Sequence, residues 1–179
     1  MNIEEKKELE VFGATIHGFA QACINLNIVA GTKASNLTRN IEVNRWYPFE
    51  HLKECERIVF KHYENPKPIL EKVGAEMMFS WYSFGPGKEI IKRGVDFLHF
   101  QSGSEGYASV VRGPEEVVGS FNLMEVDEKE GKALIYSTTP FDKNLERGVI
   151  IGGMSAPGDL SYINVDNDED VQRFRIEFH

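Results

Sequence analysis

Apolar residues recur at the spacing of an α-helix through roughly the first two-thirds of the chain. Residues 3–29 predict a helix with a break near Gly13, because apolar side chains recur along one face: Ile3, Leu9, Phe12, Ile16 and Phe19. The polar stretch 30–40 has no period, which predicts a loop. A second helix is predicted over residues 48–63, with Pro48 at its favoured place in the first turn.

Two further helices are predicted, and both are rich in methionine and aromatic residues. Residues 67–84 predict one helix, which ends at the Gly-Pro-Gly of residues 85–87. Residues 88–111 predict another, which runs on to Gly113. No single face of either helix can hold all of its large apolar side chains, so each must be buried on more than one side. Three interpretations stay open: a central place in the core, the wall of an apolar cavity, or a subunit contact.

After residue 113 the apolar period changes from 3.6 to 2, which indicates strands. Residues 117–127 and 132–139 alternate around a polar turn and predict a β-hairpin. Residues 161–166 and 172–179 predict a second one, across an acidic turn. In the last strand Phe174, Ile176 and Phe178 would face the core, which is typical of a half-buried antiparallel strand.

Between the hairpins, residues 140–154 return to helical spacing, with Thr139 as the predicted N-cap. Three small residues would let this helix lie close on a neighbour: Gly148, Gly152 and Gly153. Helices and strands that are segregated along the chain predict an α+β fold. We expect a single domain over residues 1–179, made of a helical part of about 1–113 and a hairpin–helix–hairpin part of about 114–179.

Charge and composition narrow the possible functions. The 179 residues carry a net charge of -8, which argues against a nucleic-acid or anionic-membrane surface. The N-terminus lacks the apolar core of a signal peptide, and no apolar run reaches the roughly 20 residues of a membrane span. Cys23 and Cys55 are isolated, as expected of buried thiols in a reducing compartment. These features predict a cytoplasmic protein that does not insert into membranes.

No catalytic constellation is visible in the sequence, which predicts a protein that is not an enzyme. The Gly-Pro-Gly-Lys at residues 85–88 lacks the earlier glycine and the hydroxyl residue of a phosphate-binding loop. His99 lies in an apolar stretch, where a single histidine is more often a hydrogen-bonded core residue than a metal ligand. No metal site is predicted.

Three segments, in order, resemble the haem–nitric-oxide-binding (H-NOX) superfamily and its bacterial sensor proteins. They are WYPFEHLKECERIVF (residues 46–60), ILEKVGAEMMFSWYSF (residues 69–84) and RGVIIGGM (residues 147–154). The resemblance covers most of the chain, from about Val11 to Phe178. It implies the H-NOX fold with an internal pocket, and the related 4-vinyl-reductase domains hold small hydrocarbons or aromatics in the same place.

The resemblance also implies where haem contacts would lie. Haem-binding members use a proximal histidine whose place falls near Glu105, whereas His99 lies almost two turns earlier. Their Tyr-x-Ser-x-Arg motif, which binds the haem propionates, is matched here only by Tyr136, and its other two places hold Thr138 and Pro140. Haem is therefore possible but disfavoured as a cofactor.

The leading hypothesis is a sensor domain that holds an apolar small molecule, a fatty acid or an aromatic, and signals to a partner protein. The candidate ligand-binding residues are Met78, Trp81, Tyr82, Phe97, Phe100 and Tyr136. One alternative is a haem-based gas sensor that uses His99 as its iron ligand. The other is a homodimeric interaction module without a pocket.

Overall fold

The computed structural model describes residues 8–28, 30–168 and 172–179, and its architecture is α+β, as predicted. The first part is built mainly of helices, joined by a small sheet. It opens with two short strands and three helices: β1 (Glu10–Phe12), α1 (Gly13–Asn25), α2 (Ala30–Leu37), β2 (Trp46–Pro48) and α3 (Glu50–His62).

The long helix α4 follows and is succeeded by shorter elements. In chain order they are α4 (Lys67–Phe84), α5 (Gly87–Ile90), α6 (Gly94–Ser102), a 3-10 turn (Tyr107–Ser109), β3 (Val111–Arg112) and α7 (Glu115–Val118). Strand β1 pairs antiparallel with both β2 and β3, so Val11 lies opposite Tyr47 on one side and Val111 on the other. Within the described ranges, the helices lack the length and apolar character needed to span a bilayer.

The second part is the hairpin–helix–hairpin unit expected from the sequence. Its elements are β4 (Phe121–Asp127), β5 (Lys132–Ser137), α8 (Lys143–Ser155), β6 (Ile163–Asp168) and β7 (Arg173–Phe178). The four strands form one antiparallel sheet in the order β4-β5-β7-β6, so the two hairpins pair through β5 and β7. Both hairpin predictions and the joining helix are confirmed.

The sheet has a buried face and an exposed face. Ile135 lies opposite Phe174, and Val165 lies opposite Ile176, and all four side chains are buried. The residues that alternate with them along the last strand face away from the core, among them Arg175 between Phe174 and Ile176. The alternation predicted for the last strand is therefore confirmed.

Helices α4 and α8 pack with their backbones in contact. Gly148 of α8 lies against the carbonyl of Glu71, and Gly74 of α4 lies against the carbonyl of Leu145. A methyl group at either glycine would overlap these backbone atoms, so only glycine allows this approach. The prediction that small residues bring this helix close to a neighbour is confirmed, and the contact joins the two parts of the chain.

The loop predicted for residues 30–40 was wrong, because α2 occupies most of it. The small side chains of Ala30 and Ala34 are fully buried, and Gly31 lies against the backbone of Cys23 in α1. Alanine and glycine give no strong apolar period, although they allow close helix packing. Tertiary contact therefore decided the structure of this segment.

The start of the chain also differs from the prediction. Residues 10–12 form a strand, and α1 begins at Gly13, where only a break in a longer helix was expected. Residues 3–7 of the predicted helix lie outside the described residues. Pro48 ends β2 instead of opening a helix, and α3 begins two residues later, at Glu50.

The single helix predicted over residues 88–111 is divided into α5, α6 and the 3-10 turn. Polar contacts stabilise the start of α6 at Gly94, because the N–H of Gly94 donates to Asp159 Oδ1 at 2.9 Å. The carboxylate of Asp96 accepts from the N–H groups of Lys92 (3.0 Å) and Arg93 (2.8 Å). Carboxylates that accept these N–H groups stabilise a helix start inside an otherwise helical pattern.

The N-cap predicted for the joining helix was also wrong. Asp142, three residues after Thr139, caps α8 by accepting from the N–H groups of Asn144 (2.8 Å) and Leu145 (3.3 Å). Thr139 takes part in a buried polar network instead. Asp142 fits the N-cap role because its carboxylate also complements the positive end of the helix dipole.

Candidate functional site

Two aromatic rings from different helices stack where α4 and α6 approach each other. The centroids of Trp81 and Phe100 are 5.1 Å apart, with an angle of 25° between the ring planes. Phe97 lies one helical turn before Phe100, and their centroids are 6.4 Å apart. Trp81 and Phe100 are half-buried, whereas Phe97 is fully buried. The aromatic pair thus lies at the edge of the core.

Two more of the predicted residues lie beside this aromatic pair. Met78, Trp81 and Tyr82 share one face of α4, because side chains three and four residues apart on a helix are neighbours. Both Met78 and Tyr82 are half-buried and pack against the core. Five of the six predicted ligand-binding residues therefore lie on α4 and α6.

Phe97 fills the space between α6 and α8. A Cβ atom placed on Gly153 would lie 2.5 Å from three atoms of the Phe97 ring, so the ring rests directly on the bare backbone of α8. The sequence predicted that Phe97 is buried among aromatics but not which residue it meets. This contact fixes the distance between the two helices.

The structure places the sixth predicted residue, Tyr136, elsewhere. Its neighbours Ile135 and Ser137 face the core, so Tyr136 lies on the outer face of the sheet with 37% of its surface exposed. Its hydroxyl donates to the side-chain oxygen of Gln172 at 3.3 Å. Tyr136 therefore does not join the residues on α4 and α6.

His99 is exposed and faces strand β4. It borders a shallow cavity of about 340 Å³ together with Ser102 and residues 123–126. Residues two positions apart on a helix point about 200° away from each other, so His99 and Phe97 lie on different sides of α6. His99 consequently does not point toward α8.

A buried polar network at the start of α8 was missed by the sequence analysis. Glu146 is 3% exposed, and its Oε1 accepts from the hydroxyls of Ser137 (2.7 Å) and Thr139 (2.8 Å). Its Oε2 accepts from Lys143 Nζ at 2.8 Å. We call these four residues the Glu146 network. Alternation along β5 would have pointed Ser137 inward, but nothing in the sequence pairs it with Glu146.

The Glu146 network lies near a buried tyrosine. Burial, with a smaller contribution from the charge of Glu146, raises the pKa of the Tyr107 hydroxyl. That hydroxyl donates to the carbonyl of Val118, so it is neutral and engaged. Since every donor in the network has an acceptor, the cluster is suited to join β5 to the start of α8.

A second buried carboxylate, Glu56 of α3, is less well satisfied. Its Oε2 accepts from Lys53 Nζ at 2.8 Å, but its Oε1 is buried and has no hydrogen-bond partner. Burial raises the pKa of Glu56. Nearby Lys53 lowers it, the charge of Asp142 raises it, and the backbone N–H of Asp142 lowers it. Within the described ranges, no group of three or more His, Cys, Asp or Glu side chains is arranged to hold a metal ion.

The architecture defines a class: an α+β domain in which a helical part packs on a hairpin–helix–hairpin unit. Protein-family models and curated proteins gave no match to this chain. Solved structures did give matches. The chain has an H-NOX-like fold, because structures that match it over 93% of its length are H-NOX domains.

Three of these structures illustrate the similarity. An oxygen-binding H-NOX domain related to soluble guanylate cyclases has a TM-score of 0.68 and 14% identity, over 93% of this chain and 94% of that one. An H-NOX protein from S. oneidensis in the Fe(II)NO ligation state has a TM-score of 0.67 and 8% identity, over 94% and 98%. A Cs H-NOX mutant has a TM-score of 0.65 and 14% identity, over 93% and 96%. Identities this low establish the fold alone.

The described residues do not fit haem, which needs an axial ligand, donors for its propionates and room for a flat ring. Glu105, at the expected ligand position, is exposed beyond the end of α6, and His99 faces β4. The hydroxyl and ammonium donors of the Glu146 network are already engaged by an internal carboxylate. The ring of Phe97 occupies the space between α6 and Gly153.

Proposed function

We propose that the protein is a cytoplasmic sensor domain that binds an apolar small molecule, a fatty acid or an aromatic compound, without haem and without catalysis. The observation that carries the proposal is the half-buried stack of Trp81 on Phe100, which joins two helices at the edge of the core. An apolar ligand that enters between such rings gains contact on both faces. Met78 and Tyr82 would border the ligand, and Phe97 would form its inner limit.

The chemistry of these residues favours uncharged or weakly polar ligands. Methionine and aromatic side chains offer apolar, polarisable surface, and Met78 can adapt its shape to different ligands. One charged group lies beside this surface: the Nζ of Lys88 is 5.9 Å from the centre of the Tyr82 ring. An ammonium group at the rim suits the carboxylate of a fatty acid.

The test is a fluorescence titration that isolates Trp81. In a Trp46→Phe background Trp81 is the remaining tryptophan, and 1-aminoanthracene and decanoic acid are titrated as probes. We expect a saturable change in Trp81 emission. Phe100→Ala should weaken binding by about tenfold or more, because it removes one face of the aromatic stack, worth roughly 1–2 kcal/mol.

A matched control is Phe60→Ala on α3, which removes an exposed phenylalanine far from the stack in sequence and should leave binding unchanged. Emission that does not change up to the solubility limit of both probes contradicts the proposal. Equal affinity of the Phe100→Ala and parent proteins also contradicts it.

Two further measurements separate this proposal from its alternatives. Haemin added to the protein should give no sharp Soret band; a band that His99→Ala removes would establish a haem sensor instead. A sensor must also pass its signal to a partner protein or to a second copy of itself. Light scattering on the protein with and without decanoic acid measures whether the ligand changes self-association.

A further inference from the structure

A groove of about 650 Å³ lies where four segments of the chain meet. The segments are the β4–β5 turn, the start of α6, the residues before β6 and the end of β7. This volume lies in the range of sites that hold small molecules. Trp81 and Phe100 do not line the groove, so it is separate from the site proposed above.

The groove has an aromatic wall and an apolar floor. The rings of Tyr162 and His179 stack with their centroids 4.8 Å apart and 20° between the planes. Tyr162 is 43% exposed, so part of this stack remains available for contact. Val95, Leu160 and Phe178 supply the apolar surface beside it. A flat apolar ring can therefore bind between the wall and the floor.

Charged side chains of both signs border the same groove, and two of them, Lys132 and Glu177, lie directly opposite each other on β5 and β7. Lys129 and Lys132 provide two ammonium groups, and Glu130 and Glu177 provide two carboxylates. Throughout the described part of the chain, none of these four side chains has an ion-pair partner. By contrast, Arg93 at the rim is held by Glu128, with its Nη1 donating at 2.6 Å.

We propose that this groove binds a free aromatic amino acid. The ring of the ligand would lie against Tyr162 and His179, its carboxylate would pair with the lysines, and its ammonium group would pair with the glutamates. Only a ligand with an aromatic ring and both charges uses all three features of the groove. Charge-assisted hydrogen bonds of this kind are stronger than neutral ones, and they would set the orientation of the ligand.

Isothermal titration calorimetry of the full chain with L-phenylalanine and L-tryptophan tests the proposal. Three analogues each lack one feature: phenylacetate lacks the ammonium group, 2-phenylethylamine lacks the carboxylate, and L-leucine lacks the ring. We expect each to bind at least about tenfold more weakly than L-phenylalanine, because each loses one charged or stacking contact. Binding of phenylacetate as tight as that of L-phenylalanine would overturn the zwitterion assignment.

Variants locate the binding event. Tyr162→Ala, Lys132→Gln and Glu130→Gln should each weaken the binding of L-phenylalanine by about fivefold or more. Lys61→Gln, which removes an exposed lysine on α3, should leave it unchanged. Circular dichroism of each variant checks that it is folded. If neither L-phenylalanine nor L-tryptophan gives a heat of binding at concentrations up to about 10 mM, the proposal is refuted. It is also refuted if all three groove variants bind L-phenylalanine as tightly as the parent protein.

The two sites can fail independently. Tyr162→Ala should not change the Trp81 fluorescence titration, and Phe100→Ala should not change the calorimetric affinity for L-phenylalanine. A loss of both signals in either variant contradicts the assignment of two separate sites.

Discussion

At the residue scale, two buried glutamates near the start of α8 differ in how well they are satisfied. Glu146 has hydrogen-bond donors at both oxygens, whereas Oε1 of Glu56 has none. A buried oxygen without a partner makes the charged form of a carboxylate costly. Burial therefore raises the pKa of Glu56, and Lys53 together with the backbone N–H of Asp142 only partly offsets the effect.

The raised pKa of Glu56 predicts a pH dependence of stability. A group whose pKa is higher in the folded state stabilises the protein fully below its unfolded pKa, about 4.3, and loses that contribution as the pH rises through the folded value. Glutamine carries no charge at any pH, so Glu56→Gln should remove this loss of stability. At pH 7 we expect the variant to be more stable than the parent protein by about 1–3 kcal/mol. Urea unfolding followed by circular dichroism between pH 4 and pH 8 measures the difference.

Glu54→Gln is the matched control, since Glu54 is exposed on the same helix. Its stability relative to the parent protein should change little over the same pH range. A Glu56→Gln variant that is less stable than the parent protein at pH 7 would show that Lys53 and the N–H of Asp142 fully compensate for the burial.

A period along a helix predicts which side chains share a face. Met78, Trp81 and Phe100 were selected by their crowding on two helices; Trp81 and Phe100 do stack, and the role of all three in ligand binding stays a prediction. Tyr136 was selected by its match to a motif, although the alternation along β5 points it outward. The Glu146 network joins a strand to the helix that follows it, and no pattern in the sequence encodes that approach.

At the element scale, the contact between α4 and α8 depends on bare backbone. Glycine inside a helix is ordinarily destabilising by about 1 kcal/mol relative to alanine. At Gly148 this preference is outweighed, because a methyl group would overlap the carbonyl of Glu71. The cost of glycine is thus offset by the packing it allows.

Gly148→Ala should therefore destabilise the protein by roughly 2 kcal/mol or more, despite its better helix propensity. Gly18→Ala in α1 is a matched control. The added methyl group there would meet only the side chain of Met77, at 3.6 Å, so the variant should be neutral or slightly more stable. Thermal unfolding of both variants measures the contrast; equal melting temperatures would contradict the packing argument.

The helices and strands whose positions were predicted correctly have a strong periodicity of apolar residues. The long helix α4 and both hairpins are correctly placed because apolar residues repeat along them. Helix α2 was missed because it packs through alanine and glycine. The division between α5 and α6 was missed because Asp159, which accepts from Gly94, lies 65 residues away along the chain.

At the scale of the whole molecule, α4 belongs to the helical part and α8 to the hairpin–helix–hairpin part. Arg147 of α8 strengthens this junction: it forms an ion pair with Glu71 of α4, and its Nε donates to the carbonyl of Val165 in β6 at 2.5 Å. One core also runs through both parts, from Val11 to Phe178. The two parts therefore stabilise each other.

We expect the protein to unfold in one cooperative transition. Far-ultraviolet circular dichroism follows the whole backbone, while the fluorescence of Trp81 in a Trp46→Phe background follows α4. The urea midpoints of the two signals should coincide. Separate midpoints would show that the two parts of the chain are independent domains.

The contacts that α8 makes with α4 and α6, including that of Phe97 on Gly153, restrict how these helices can move. Because the backbones of α4 and α8 are in contact, neither helix can slide or rotate without moving the other, so the two move as one rigid body. Helix α6 also contacts the backbone of α8, because Gly94 at its start lies against the carbonyl of Met154 and the Phe97 ring lies on Gly153. We therefore expect α4, α6 and α8 to move together rather than slide past one another.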